Sequence, residues 1–195
     1  MPEATVIGLT GHAGSGKSTA GQYLKEKYGF DFITLSDVVK AEAKRRGLLK
    51  DGDMEAQKEL LSKFGIEWRK ETGKDNIVAE KIIERIRERK MGTVVIDGFR
   101  SPGEVKMFRI SFHGFRLIYI KVDPDVRWKR RLAQDPHARR SEFDARDTRD
   151  MENMGLSAVL KMADFTVDNN GTPADLERNL DKAIMPLLST GQRNR

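Results

Sequence analysis

Short apolar runs rich in Val, Ile, Leu and Phe recur along this chain, separated by longer stretches in which apolar residues return every three or four positions. The first pattern predicts buried strands and the second predicts amphipathic helices. Thr5 to Thr10 is the first such run, and after a glycine-rich segment, Gly11 to Lys17, the spacing predicts a helix over Ser18 to Lys27. Phe32 to Leu35 predicts a second strand, and Ser36 is placed to cap a helix over Asp37 to Arg46 that Gly47 ends. From Met54 to Lys90 the pattern predicts two helices punctuated by Gly65 and Gly73. One has Leu60, Leu61 and Phe64 on its apolar face, the other Ile77, Val78, Ile82, Ile83 and Ile86.

The second half repeats the alternation. Thr93 to Ile96 predicts a buried strand ending at Asp97, and Ser101 with Pro102 predicts the start of a helix through Ile110. Phe115 to Val122 reads as a strand, Pro124 to Leu132 as a basic helix, and Ala133 to Arg140 as a polar connection. Ser141 and Asp144 are spaced as a capping box for the next helix. Phe165 to Val167 is the last strand, and Thr172, Pro173 and Asp175 open a final helix to about Leu188. Strands that alternate with helices predict an α/β fold, a parallel sheet covered by helices on both faces.

Composition changes this picture in three places. Charged residues make up 34% of the 195 positions. Because apolar periodicity persists, that charge predicts a heavily charged surface rather than disorder, with only Thr190 to Arg195 expected as a flexible tail. Lys and Arg number 36 against 30 Asp and Glu, a net charge of +6 that favours an anionic partner: a nucleotide, a nucleic acid or an acidic lipid. Cysteine is absent, which excludes disulfides, thiolate metal sites and cysteine nucleophiles. No run approaches eighteen apolar residues, so no membrane partner is expected and a cytoplasmic location is the default. The three histidines, His12, His113 and His137, are too scattered for a metal-site spacing, and Trp68 and Trp128 form no stacking strip for nucleic acid.

Gly11-His12-Ala13-Gly14-Ser15-Gly16-Lys17-Ser18 fits the eight-residue phosphate-loop pattern between a predicted strand and a predicted helix. The chemistry needs this arrangement. Successive amides must turn inward onto phosphate oxygens, glycine tolerates the positive φ this requires, and the helix N-terminus adds partial positive charge. Lys17 is then placed for the β and γ phosphates of ATP and the Ser18 hydroxyl for Mg²⁺, with Thr19 next to it. His12 reads as a spacer whose backbone matters.

Three later segments resemble the nucleoside monophosphate kinase-like branch of phosphate-loop proteins. Leu35-Ser36-Asp37-Val38-Val39-Lys40 is similar to the acceptor-binding helix start of adenylate kinases, with Lys40 where those enzymes carry arginine. Val95-Ile96-Asp97-Gly98-Phe99-Arg100 resembles their strand end and phosphate-contacting arginine, without the proline between Phe and Arg. Ala163 to Thr172 is similar to the C-terminal strand and base-binding loop of dephospho-CoA kinases. Phe64 to Glu71, taken with Asp97 to Glu104, resembles deoxynucleotide kinases and archaeal kinase-like proteins.

The resemblance implies a single three-layer P-loop kinase domain with a core over 1–36, 91–132 and 151–189, a helical acceptor-binding insert over 37–90 and a lid over 133–150. It implies an ATP- and Mg²⁺-dependent phosphotransferase acting on a nucleotide or nucleotide-like acceptor, a nucleoside monophosphate or a dephospho-CoA type hydroxyl. Asp97 stands where a Walker-B acid helps hold the metal, although a turn before Gly98 would use the same residue. Asp37 is placed to orient or deprotonate an acceptor hydroxyl if its strand lies beside the first. Lys40, Arg69 and Arg100 are the acceptor-side cations, and Arg100 also counts as catalytic. Arg131, Arg139 and Arg140 are the lid candidates, Arg140 foremost, and Asn170 and Gly171 are candidates for the base site. A different class stays open: an NTP-driven ATPase switch or ribonucleoprotein assembly factor, with which the basic balance also agrees.

Overall fold

In a parallel sheet the central strands are covered on both faces, so every side chain of such a strand is apolar or small. The computed structural model describes residues 4–49, 54–74, 76–152 and 155–191, and its sheet shows this directly. Strand β1 (Thr5–Thr10) lies at the centre, with Val6, Ile7 and Leu9 wholly buried. Around it run β2 (Asp31–Thr34), β3 (Thr93–Phe99), β4 (Arg116–Lys121) and β5 (Phe165–Asp168), in the order β2-β3-β1-β4-β5 with every pair parallel.

Alternation along the strands divides the core in two. Val6, Val94, Ile96 and Leu117 point to one face. There they meet α2 (Leu35–Arg45), α3 (Met54–Thr72), α4 (Ile77–Glu88), α5 (Pro102–Ser111) and α8 (Leu156–Lys161), through residues such as Val39, Trp68, Ile82, Phe108 and Val159. Ile7, Leu9, Val95, Ile118 and Ile120 point to the other face, onto Leu24 of α1 (Lys17–Tyr28) and Leu180 and Ile184 of α9 (Pro173–Gly191). The helices α2 to α4, which the sequence sets apart as an insert, therefore share a hydrophobic core with the sheet.

One irregularity matters for the site. Leu9 pairs with Asp97 but Thr10 pairs with Phe99, so Gly98 is an extra residue, a bulge with φ of +106°. Without it Phe99 would share the face of Val95. The extra residue returns the ring to the first face, where it packs at 5.1 Å from Phe108 and 5.5 Å from Phe115 between ring centroids. β3 thus continues past Asp97, where the sequence predicted its end.

Several expected boundaries shift for local reasons. Thr34, not Ser36, caps α2: its hydroxyl accepts from the Asp37 amide at 3.1 Å. Gly65 lies inside α3 rather than ending it, and its carbonyl accepts from Arg69 at 2.8 Å. Leu60 is exposed at 37%, on the outer side of that helix. α9 runs through Gly191, into the stretch expected as a tail, and 192–195 lie outside the described residues. Ser101 does cap α5, with Glu104 closing the box and Pro102 in the first turn.

Two further helices, α6 (Pro124–Gln134) and α7 (Arg140–Glu152), are joined by a turn in which Asp135 accepts from the His137 amide at 3.0 Å. α7 begins at Arg140, so Ser141 and Asp144 form no capping box; Asp144 pairs with Arg140 one turn earlier at 3.0 Å. What docks α7 is Arg127 of α6, only 2% exposed. Its fork donates to both Asp147 carboxylate oxygens at 2.9 and 2.5 Å and to the Ala13 carbonyl at 3.1 Å, and it lies 4.9 Å over the Phe143 ring. Arg127→Ala removes these charged hydrogen bonds and leaves Asp147, 20% exposed, to water, so it is expected to cost about 1.5–3 kcal/mol in urea unfolding. The exposed Arg140→Ala is expected to stay within about 1 kcal/mol of the parent. Equal small losses for both would show that Arg127 does not hold the helix.

Candidate functional site

The turn after β1 carries three glycines with positive φ: Gly11 at +145°, Gly14 at +74° and Gly16 at +88°. Two of them are also places of close approach. A Cβ on Gly11 would stand 2.6 Å from the Ile120 carbonyl, and one on Gly16 would stand 2.4 Å from Nδ2 of Asn169. That amide, on a residue 5% exposed, donates to the Ser15 carbonyl at 2.9 Å and props the loop from the end of β5. The loop then delivers Lys17 at the first turn of α1. Its ammonium donates to the carbonyls of Gly11 at 2.9 Å and His12 at 2.8 Å. Burial pushes its pKa down to about 8, with Arg100 and Arg146 adding to the effect and Asp97 and Asp150 opposing it.

Ser18 and Asp97 meet across the α1–β3 contact, the hydroxyl donating to Oδ2 at 2.7 Å. The other carboxylate oxygen, Oδ1, is buried with no hydrogen-bond partner among the described residues. A hydroxyl beside an unsatisfied carboxylate oxygen is the donor set a hard cation such as Mg²⁺ takes. No group of three His, Cys, Asp or Glu suited to a metal occurs among the described residues. Mg²⁺ needs none, since it is commonly held by one or two carboxylates together with substrate phosphates and water.

A cavity of about 740 Å³ opens along the loop. Its walls are the loop itself from Ala13 to Thr19, the arginine face of α6, the inner face of α7 and the segment from Asn169 to Leu176. Arg131 and Arg139 line it; Arg131 is paired with Asp135 at 3.0 Å, and Arg139 is largely exposed near Glu142. Arg140 does not line it. Its side chain is turned outward, held between the carboxylates of Asp144 and Asp125 and over the Trp128 and Phe143 rings. Arg146 of α7 occupies that face and lines the cavity. At the far end Gly171 lines the wall and its carbonyl accepts from Arg130 at 2.9 Å. Asn170 instead accepts from the Asp123 amide at 2.8 Å, while its neighbour Asn169 faces the loop.

The remaining candidates sit on the opposite side, toward β2. That strand lies beside β3, not β1, so Asp37 does not face the loop across an adjacent strand. Thr34 pairs with Asp97, which puts Asp37 at the carboxyl edge of the sheet, exposed like Lys40 on the same helix. Arg100 follows β3 and lies 3.5 Å from the buried carboxylate of Asp150. Arg69 is tied to Glu104 at 2.5 Å.

Sequence reasoning missed Arg127, Arg146, Asp147, Asp150 and Asn169. A signal for three of them existed: Arg146, Asp147 and Asp150 recur with Phe143 at three- and four-residue intervals and so share one helix face. Asp147 also stands 3.7 Å from Nδ1 of His12. Burial works to raise the Asp147 carboxyl, and His12 with the Arg127 fork holds it well below the usual range. At 3.7 Å the histidine acts only through space, so the fork dominates.

The family model AAA_17, an AAA domain, matches residues 10–149. A UPF0200 protein of Methanothermobacter thermautotrophicus is 33% identical over 97% of this chain and 94% of its own length. One from Thermococcus onnurineus is 35% identical over 94% and 98%. A UPF0200/UPF0201 protein of Archaeoglobus fulgidus is 37% identical over 95% of this chain, which spans only 56% of that longer protein. Among solved structures, TT1252 from Thermus thermophilus superposes with a TM-score of 0.66 at 22% identity over 95% and 99% of the two chains. Shikimate kinase from Acinetobacter baumannii gives 0.59 at 17% over 96% and 94%. The chain therefore belongs to the UPF0200 family and has the fold of the P-loop kinases.

Proposed function

We propose that this protein is a Mg²⁺-dependent phosphotransferase that moves the γ-phosphate of ATP to a nucleotide or nucleotide-like acceptor. The observation that carries the reading is the conjunction at the loop: Lys17 folded onto it, and Ser18 at 2.7 Å from a buried Asp97 that keeps one oxygen unsatisfied. The cavity takes the donor, its triphosphate along the loop and its base toward Gly171 and Arg130. Bound between Ser18, Asp97 and the phosphates, Mg²⁺ would supply charge neutralisation at the transferred group. The side chains do the rest. Lys17 and Arg146 hold the phosphates against their mutual repulsion, Arg100 stands on the acceptor side, and α7 covers the loop against water. In this assignment Arg146 takes the lid role that the sequence gave to Arg140; Arg131 and Arg139 stay with the donor. Asp37 and Lys40 border the acceptor at the edge of α2.

Screening nucleoside monophosphates and dephospho-CoA for acceptor-dependent ADP release tests the reading. Rapid ATP turnover that ignores every acceptor would instead favour the ATPase-switch class. Lys17→Ala is expected to lower turnover about a hundredfold or more without changing the far-ultraviolet circular dichroism. An active Lys17→Ala enzyme would refute the phosphate-loop assignment. The depressed Lys17 pKa gives a second expectation. With the free amine at about 8 and the phosphate-bound form well above it, nucleotide binding takes up a proton as pH rises. Calorimetry in buffers of different ionisation enthalpy should find uptake growing from about a quarter of a proton at pH 7.5 to about nine-tenths at pH 9. Affinity should weaken over the same interval. Uptake that stays flat between those pH values would place the titration elsewhere.

A further inference from the structure

The two sides of the phosphate loop differ in charge. The donor cavity is lined by six cationic side chains and two carboxylates, one of which, Asp147, is engaged by Arg127. On the acceptor side the candidate cations are Lys40, Arg69 and Arg100, and the last two are each met by an acid, Glu104 and Asp150. The two arginines there are held by buried acids. Glu104 is wholly buried, bonded to Arg69 at 2.5 Å and to the amides of Arg100 and Ser101 at 3.2 and 3.1 Å. Asp150 is 4% exposed and 3.5 Å from Arg100.

A phosphate acceptor brings about two negative charges and needs cations whose charge is not already spent. Glu104 cannot swing away to release Arg69, because it also caps α5, and a buried carboxylate without its cation is strongly disfavoured. Asp150 sits in a buried position of α7, the helix that Arg127 and Asp147 fasten to the loop. A phosphate on this wall would meet two fixed anions at the arginines meant to receive it. A neutral hydroxyl would meet no such repulsion and would find hydrogen-bonding groups of both kinds. The Asp37 carboxylate is exposed in the first turn of α2, three residues after Thr34, which pairs with Asp97.

We infer that the acceptor presents a hydroxyl, with no phosphate at its reacting end, and that Glu104 and Asp150 impose this choice by neutralising Arg69 and Arg100. The inference rests on the phosphotransferase reading and narrows it. The acceptor oxygen attacks the γ-phosphorus and its proton is released to solvent water. The bond from the γ-phosphorus to the β–γ bridging oxygen breaks, and ADP leaves with that electron pair. The product is a phosphate monoester, not a phosphoanhydride. Glu104 and Asp150 are positioning residues in this scheme, since each acts through an arginine.

The test is a calorimetric titration of AMP, CMP, GMP and UMP into full-length protein already saturated with Mg²⁺ and a non-hydrolysable ATP analogue. The parent protein should bind each monophosphate more weakly than about 1 mM. Asp150→Asn, which keeps the shape and removes the charge, should bind at least one of them about tenfold more tightly or better, and Glu104→Gln provides a second, independent variant. Thermal melting checks that each is folded. Micromolar binding of any monophosphate to the parent beside the analogue, or its conversion to a diphosphate by ATP, overturns the inference. So does a folded Asp150→Asn protein that gains nothing. Should the analogue itself not bind, the phosphotransferase reading fails first, and that result is visible before any monophosphate is added.

Discussion

A guanidinium with 2% exposure has to be neutralised where it lies, and in this protein the neutralising groups come from two other parts of the chain. Arg127 belongs to α6, its carboxylate partner Asp147 to α7, and its third contact, the Ala13 carbonyl, to the phosphate loop. One side chain thus fastens a helix to the loop. Because α7 is fastened, its inner face is set in register: Arg146 reaches the cavity, and Asp150, one turn beyond Asp147, reaches Arg100. The electrostatic surroundings of Lys17 follow, since Arg100, Arg146 and Asp150 all act on its ammonium. A segment that the sequence presents as a polar lid is in this arrangement a wall of the site.

The sheet sets the second half of the geometry. Alternation sends Asp97 to the face that carries α1, which is why Ser18 meets it, and the bulge at Gly98 returns Phe99 to the aromatic cluster on the opposite face. A strand of regular register would have to choose between the carboxylate at the loop and the ring in the core. The extra residue removes that conflict, and it accounts for a glycine directly after the acid.

Most of the scaffold is legible in the sequence because its signals are local. The apolar run Thr5 to Thr10, the glycine pattern through Lys17, and the Ser101-Pro102 start of α5 each contain their own physical reason, and each appears in the fold. The failures share a cause of the opposite kind. Asp37 was placed by assuming that the second strand neighbours the first, but β3 crosses between them, and nothing in the spacing of residues reports a crossover. Arg140 stood out by its place before a helix, while the burial of Arg127 and the place of Arg146 in the cavity wall are set only by which way α6 and α7 face once docked. Asn169 was missed by a single position, because in a short strand end adjacent residues point to opposite sides.

The net charge of +6 takes on a more specific meaning once it is located. Read from composition it favours any polyanion. In the fold, cations outnumber carboxylates by six to two around the phosphate-loop cavity, whereas Arg69 and Arg100 on the other side are paired with Glu104 and Asp150. A field concentrated in a concave wall of low dielectric acts over a few ångströms on a compact polyphosphate far more than on an extended chain passing over the surface. Part of the excess therefore lies along the wall of the phosphate-loop cavity, while Arg69 and Arg100 are each met by a buried acid. A surface that gathers cations in one concave wall and pairs them with buried acids beside it treats an anion differently in the two places before any hydrogen bond is formed.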